Sequence, residues 1–133
     1  MLIVSALVLL LVLPAVFGIS QDEATDIVRW QVIQTSENKD SLRAYRWIAP
    51  VLLAKEAYNE QFKFDEPVWF FWIDDRPEAQ FSHPNRYVFV YDDKYVEVIG
   101  ANWYPENLEQ AELFYDGKPS FFTRMINFIR GLI

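Results

Sequence analysis

The stretch Val68-Trp69-Phe70-Phe71-Trp72-Ile73 decides the fold, because it is apolar at every position. Successive side chains of a β-strand point to opposite faces of the sheet, so this strand carries large apolar groups on both faces. That pattern indicates a strand that is covered on both sides and central in its sheet. Pro67 precedes it, and Asp74-Asp75-Arg76-Pro77 follows it with residues typical of turns.

A β-hairpin is predicted further along the chain. Residues 87–91 and 95–99 are rich in aromatic and β-branched side chains, and Asp92-Asp93-Lys94 between them has the length of a hairpin loop. Alternation places four valines on one face of this hairpin and mainly aromatic side chains on the other. The central strand and the hairpin together predict a small, mainly antiparallel sheet.

Helices are predicted on either side of the sheet in the sequence. Ser20-Gln21-Asp22-Glu23 has the pattern of a capping box, which predicts a helix from there to about residue 34. Residues 41–61 are predicted to be helical as well, with an interruption at Pro50, whose missing N–H suits the first turn of a new helix. Residues 120–133 place their apolar side chains on one face at helical spacing. The predicted fold class is therefore α+β, with N-terminal helices packed on a small, mainly antiparallel sheet and a C-terminal amphipathic helix closing it.

The N-terminal segment predicts export from the cytoplasm. Residues 1–18 carry no charged side chain, and the apolar run 2–17 has the length of a long signal-peptide core, shorter than the roughly 20 residues of a spanning helix. Signal peptidase could cut after Gly18 or after Ser20. We expect residues 1–18 to be a cleaved signal peptide, with an uncleaved membrane anchor as the alternative, and residues 19–133 to form a single α+β domain. The predicted location is secreted, or extracytoplasmic and membrane-associated.

The composition excludes several classes of chemistry. Residues 19–133 keep the whole net charge of −7, which argues against a nucleic-acid partner, since phosphate binding needs clustered Lys and Arg. The chain has no cysteine and one histidine, so disulfides, thiol nucleophiles and ordinary zinc sites are not expected. No cofactor and no metal are predicted.

The residues that remain for catalysis are few. His83 is the single histidine, and the sequence has neither a G-x-S-x-G elbow nor a phosphate-binding glycine loop. Asp74 and Asp75 follow a buried strand, where a raised pKa would make a general acid, but turn capping explains them as well. No catalytic residue is therefore predicted, and a small carboxylate-dependent enzyme using these three residues is the least favoured alternative.

The aromatic residues have two interpretations, which are ordinary core packing and an exposed platform for an apolar segment or a sugar face. The candidate ligand-binding residues are Trp69, Trp72, Tyr87, Phe89, Tyr91, Tyr95, Trp103 and Tyr104. The C-terminal helix has three interpretations: it closes the core of the domain, it lies against a partner, or it rests in a membrane interface. The candidate interface residues are Phe121, Phe122, Met125, Ile126, Ile129 and Leu132.

The helix opening Ser20-x-x-Glu23-Ala24 and the later hairpin 87–99 resemble the PepSY type of secreted module over residues 20–99. The resemblance implies a non-catalytic, peptidase-inhibitory role and carries no site residues across. The chain departs from that family in the helical stretch 41–61 and in Asp92-Asp93-Lys94, which stands in place of the usual Thr-Gly turn. The predicted function is a non-catalytic exported binding or assembly module with a protein partner. The main alternative is a subunit of a membrane complex anchored by residues 2–19.

Overall fold

The computed structural model describes residues 18–117 and 121–132, and six antiparallel strands dominate it. The strands are β1 (Arg43–Trp47), β2 (Val51–Lys55), β3 (Gln61–Asp74), β4 (Asn85–Val90), β5 (Val96–Ala101) and β6 (Ala111–Asp116). The helices are α1 (Gln21–Val28), which continues into a π-helical turn (Arg29–Ile33), a 3-10 turn (Leu108–Gln110) and α2 (Phe121–Leu132). The strand order is β5-β4-β3-β1-β6, and β2 pairs with the first half of β3.

The second half of β3 is the centre of the sheet, as the apolar stretch predicts. It pairs with β1 on one side and β4 on the other, so that Trp72 lies opposite both Tyr45 and Tyr87. Phe71 and Ile73 are buried on the face beneath α1, whereas Trp72 is buried on the opposite face. Both faces are therefore covered, and the prediction of a central strand is confirmed. The predicted hairpin is confirmed too, since β4 and β5 pair in register from Asn85↔Ala101 to Val90↔Val96.

Helix α1 covers one face of this sheet. The Ser20 hydroxyl accepts a hydrogen bond from the Glu23 N–H at 3.1 Å, which satisfies one of the free donors at the start of the helix. Ala24 and Val28 are fully buried on the side of the helix that meets the sheet. Their partners in this core are Ile19, Val32, Ile33, Leu42, Ala44, Phe71, Ile73, Val88 and Val90. The helix predicted from residue 20 to about 34 is confirmed.

The other face is covered by the chain itself. The first half of β3 folds back with β2, so that the Phe64 ring lies 4.7 Å from the Phe89 ring and the Phe62 ring lies 5.7 Å from the Tyr87 ring. The bend falls near Pro67, where the pairing with β2 is irregular. A proline lacks the N–H that a regular ladder needs, and a bulge tolerates that loss.

The predicted fold class is wrong in its helical part. Residues 41–61 do not form helices that pack on a sheet: they contain strands β1 and β2, and the one N-terminal helix with its π-helical turn covers only residues 21–33. Leu42 and Ala44 are buried beneath α1, and Trp47 is buried on the opposite face, which is the alternation of a strand. Pairing of β1 with both β3 and β6 overrides the local helical preference of this segment.

The C-terminal helix forms, but it does not close the sheet as predicted. Met125, Phe128, Ile129 and Leu132 are all exposed in α2, and Ile126 is half-buried. The predicted leader or anchor at residues 1–18 lies outside the described residues except for Gly18.

Candidate functional site

A cavity of about 750 Å³ opens where α1, β3 and the β4–β5 turn meet. This volume is in the usual range for small-molecule sites. Four parts of the chain build its wall: the residues before α1, the β1–β2 turn, the bend in β3, and the β4–β5 turn. The lining residues are Ile19, Ser20, Pro50, Glu66, Pro67, Trp69 and Asp92. We call this space the Trp69 cavity.

The walls of the Trp69 cavity are apolar with two carboxylates. Ile19 and Trp69 supply most of the hydrophobic surface together with two prolines, and Glu66 and Asp92 supply the negative charge. Among the described residues that line it, none is basic. The indole N–H of Trp69 donates to the Ile19 carbonyl at 3.0 Å, which fixes the orientation of the ring. The cavity therefore combines an oriented aromatic side chain with unneutralised acidic groups.

Asp92 is held at the cavity by the turn between β4 and β5. The Tyr91 N–H donates to the Tyr95 carbonyl at 2.9 Å, and the Asp93 carboxylate caps the turn by accepting from the Tyr95 N–H at 3.0 Å. Lys94 completes the turn in the left-handed conformation, with φ of 72°. The predicted turn role of Asp93 is confirmed, whereas the Asp92 side chain lies beside the Trp69 cavity.

A smaller hollow of about 200 Å³ continues from the Trp69 cavity along the same edge. It shares Glu66, Pro67 and Asp92 with the larger space and adds Tyr91 and Asp93. Burial raises the pKa of the Tyr91 phenol, and the nearby Glu97 carboxylate raises it further. Tyr91 is therefore a neutral hydrogen-bond donor at physiological pH, in a groove whose other polar groups are acidic.

The structure does not gather the predicted ligand-binding residues into one groove. Trp72, Tyr87 and Phe89 are buried in the core, and burial raises the pKa of Tyr87 while its hydroxyl donates to the Trp103 carbonyl at 3.0 Å. Trp103 packs edge-on against Tyr58 at another end of the sheet, with Tyr104 beside it. Tyr95 is exposed and its ring contacts that of Tyr91. Of the eight candidates, Trp69 alone lines the main cavity, and Tyr91 lines the hollow next to it.

The sequence reasoning missed the remaining wall residues. Ile19, Ser20, Pro50, Glu66 and Pro67 come together only through the bend in β3 and the docking of α1. The one local signal is the pair Glu66-Pro67, a charged residue and a proline directly before an apolar strand. Such a pair marks an irregular strand, but it does not indicate which elements surround it.

The least favoured prediction, an enzyme that uses Asp74, Asp75 or His83, meets a closed hydrogen-bond network. His83 Nε2 lies 2.7 Å from an Asp74 carboxylate oxygen, and its Nδ1 lies 2.7 Å from the Phe81 carbonyl. A carbonyl and an ionised carboxylate both accept hydrogen bonds, so this geometry favours the doubly protonated ring. Burial opposes this charged form, but the two hydrogen bonds outweigh burial and raise the pKa of His83.

The neighbouring carboxylates are also engaged. Asp74 accepts from the Arg76 N–H at 3.1 Å, which confirms its predicted role in the turn. Asp75 makes two hydrogen bonds to Arg86, at 2.8 and 3.1 Å, and a third to the Asn38 amide at 2.8 Å. These contacts hold the ends of β3 and β4 together.

The predicted interface residues lie in α2. Met125, Ile129 and Leu132 are exposed, and Ile126 is half-buried. The side chains of Phe121 and Phe122 lie outside the described part of the structure. Within residues 18–117 and 121–132, no helix combines the length and apolarity needed to cross a bilayer. The same residues contain no group of three acidic or histidine side chains arranged to hold a metal ion.

Comparison of this chain with protein-family models, with curated proteins and with solved structures gives no match. The resemblance to PepSY modules therefore stays a prediction.

Proposed function

We propose that this chain is an exported, non-catalytic binding module that takes an apolar ligand with a positive charge in the Trp69 cavity. The supporting observation is the wall chemistry: an oriented indole and apolar side chains beside Glu66 and Asp92, with no basic residue among the described lining groups. An ammonium or guanidinium group gains from carboxylates and from the face of an indole ring. An apolar chain gains from leaving water in a cavity of this size.

The export half of this proposal rests on the sequence of residues 1–18, and the binding half on the cavity. The cavity lies directly beside Gly18 and Ile19, where the sequence predicts the leader to end.

Three probes of equal chain length test the proposal: octylammonium, 1-octanol and octanoate. The protein is the chain purified after expression in a secreting host, and binding is followed by the shift in melting temperature and by calorimetry below the micelle concentration. We expect octylammonium to bind most tightly and octanoate least, since only the charge of the head group differs. Equal affinity for octylammonium and octanoate, or no binding of either, would contradict the proposal.

Matched variants connect the binding to the cavity. Glu66→Gln is expected to weaken octylammonium binding about tenfold, because it removes one charge-assisted contact. Asp65→Asn is the control, because it removes the same charge from an exposed neighbour on β3 that does not line the cavity. Trp69→Phe is expected to weaken all three probes, whereas Trp30→Phe at an exposed position leaves them unchanged.

A second function, assembly with a partner protein, is supported by α2. Its exposed apolar side chains include Phe128 at 68 % and Leu132 at 72 % of full exposure, more than an isolated surface helix ordinarily presents. Light scattering of the exported protein with and without Phe128→Glu tests this. A change in mass on substitution supports assembly of the chain with itself, and an unchanged monomer argues against that form of assembly.

A further inference from the structure

We propose that export cuts the chain between Gly18 and Ile19, and that the new Ile19 ammonium pairs with the Asp92 carboxylate at the mouth of the Trp69 cavity. This inference rests on the export half of the proposed function, and it assigns Asp92 to the new terminus, which leaves Glu66 as the lining carboxylate for a ligand's positive charge. The sequence alone leaves two sites open, after Gly18 and after Ser20. The structure distinguishes them by what each cut would remove.

A cut after Ser20 would remove two residues that the fold uses. Ile19 is 5 % exposed, belongs to the core beneath α1, and its carbonyl accepts the hydrogen bond from the Trp69 indole. Ser20 caps α1 by accepting from the Glu23 N–H. A chain starting at Gln21 would lose the buried side chain, the indole contact and the helix cap together.

A cut after Gly18 keeps all three contacts. Gly18 itself is in the left-handed conformation, with φ of +59°, which a residue with a side chain rarely adopts. A Cβ at Gly18 would lie 2.7 Å from an Asp92 carboxylate oxygen, so Asp92 is already packed against this residue. Removing Gly18 therefore removes no side chain that the fold uses, and it frees the space in front of Asp92.

The cut also creates a partner for Asp92. Water adds across the Gly18–Ile19 amide: the carbonyl carbon of Gly18 becomes a carboxylate on the departing segment, and the nitrogen of Ile19 becomes a protonated amine. That nitrogen is two bonds from the Gly18 Cα, and the side-chain position of Gly18 lies directly against the Asp92 carboxylate, so the new amine and Asp92 are neighbours. In the described structure Asp92 has no hydrogen bond or ion pair with the residues from 18 to 117.

The charges around this amine favour its protonated form. Glu66 from β3 and Asp92 from the turn line the same cavity, Asp93 follows in the turn, and Asp22 and Glu23 occupy the first turn of α1. The positive end of the α1 dipole opposes an ammonium at this place. Asp22 already pairs with Arg46 at 3.6 Å, so the other four carboxylates are the ones that favour the ammonium against the helix dipole. We therefore expect the pKa of the Ile19 amine to lie above its ordinary value of about 8.

The first test is the intact mass of the full-length chain after export from a secreting host. A mass corresponding to Ile19–Ile133 supports the inference. A product starting at Gln21, or at any other residue, overturns it and leaves the binding proposal standing. An unprocessed chain overturns this inference, and only an unprocessed chain that also stays in the cytoplasm overturns the export half of the proposed function.

The second test uses the processed protein and measures the pKa of its terminal amine from the pH dependence of acylation. Asp92→Asn is expected to lower that pKa. Asp65→Asn, which removes an equal charge from an exposed position on β3 outside the cavity, is expected to leave it unchanged. A raised folded-state pKa stabilises the protein fully below the ordinary amine value, and this stabilisation disappears as the pH rises through the folded value. The melting temperature of the unsubstituted protein should therefore fall more between pH 7 and pH 9.5 than that of Asp92→Asn. Equal falls in the two proteins, or an amine pKa that is the same in both, would overturn the ion pair.

Discussion

Replacing Phe89 by alanine tests whether the folded-back half of β3 is held by the aromatic core. The Phe89 side chain is completely buried, and its ring lies 4.7 Å from that of Phe64, 5.2 Å from that of Phe70 and 5.8 Å from that of Phe62. Two of these partners belong to the half of β3 that turns back over the sheet, and the third belongs to the half inside the sheet. One side chain therefore joins both halves of the strand.

The expected cost of Phe89→Ala follows from these contacts. Removing a buried phenylalanine ring leaves a cavity and costs about 3–5 kcal/mol of unfolding free energy. The close ring pairs place this site at the upper end of that range, since each pair adds roughly 0.5–1.5 kcal/mol beyond area burial. A domain of this size has a total stability of about 5–15 kcal/mol, so the substitution removes a large fraction of it.

The measurement is urea unfolding followed by tryptophan fluorescence and by circular dichroism. Phe81→Ala is the control, because the Phe81 side chain is 83 % exposed and only its backbone carbonyl contacts His83. We expect the control to change stability by less than about 0.5 kcal/mol. A loss below about 1 kcal/mol in Phe89→Ala, or equal losses in the two variants, would refute the account of how β3 is held.

Three further predictions address the loops and the polar cluster. Gly117→Ala should destabilise the protein by about 1–3 kcal/mol, because the added Cβ would meet the backbone of the loop before β1. Gly100→Ala is the control: a Cβ at Gly100 has nothing within 4 Å, so this substitution should not lower the urea midpoint. Asp75→Asn should cost about 2 kcal/mol in the same assay, since it leaves the mostly buried Arg86 guanidinium without its two charge-assisted contacts; a loss within error of zero would contradict this role. His83→Gln should lower the melting temperature most at pH 5.5 and least at pH 8.5. Because the pKa of His83 is raised in the fold, the imidazolium stabilises the protein fully below a pH of about 6.5, and less as the pH rises through the folded pKa. The opposite order would show that the ring is neutral in the fold.

The sequence predicts the elements whose pattern is local. The stretch 68–73 and the hairpin around Asp92-Asp93-Lys94 have the period and turn residues of strands, and Ser20 with Glu23 marks the start of α1. Residues 41–61 could not be assigned in this way. Their aliphatic and charged residues suit a helix when taken alone. Pairing of β1 with the distant ends of β3 and β6, and of β2 with the start of β3, makes them strands.

The candidate site could be predicted only in part, for the same reason. Trp69 is one of the candidate ligand-binding residues, but the number of aromatic residues in the sequence could not separate it from Trp72. Trp72 lies three residues further along β3, on the opposite face of the strand, and is buried in the core. Glu66 and Asp92 are separated by a strand and a hairpin in sequence, and the bend at Pro67 brings them to one cavity. A carboxylate pair that forms through a strand bend leaves no periodic signal.

The strand order has a consequence for the timing of folding. Strands β3, β4 and β5 are neighbours in both sequence and space, so they can pair as soon as they are made. The pairing of β1 with β6 joins segments more than 60 residues apart, so it can form only after β6 has been made. Until residues 111–116 arrive, β1 presents an open edge and the sheet stays incomplete. During synthesis from the N-terminus β6 is the last strand to appear, so the sheet is completed only when most of the chain has been made.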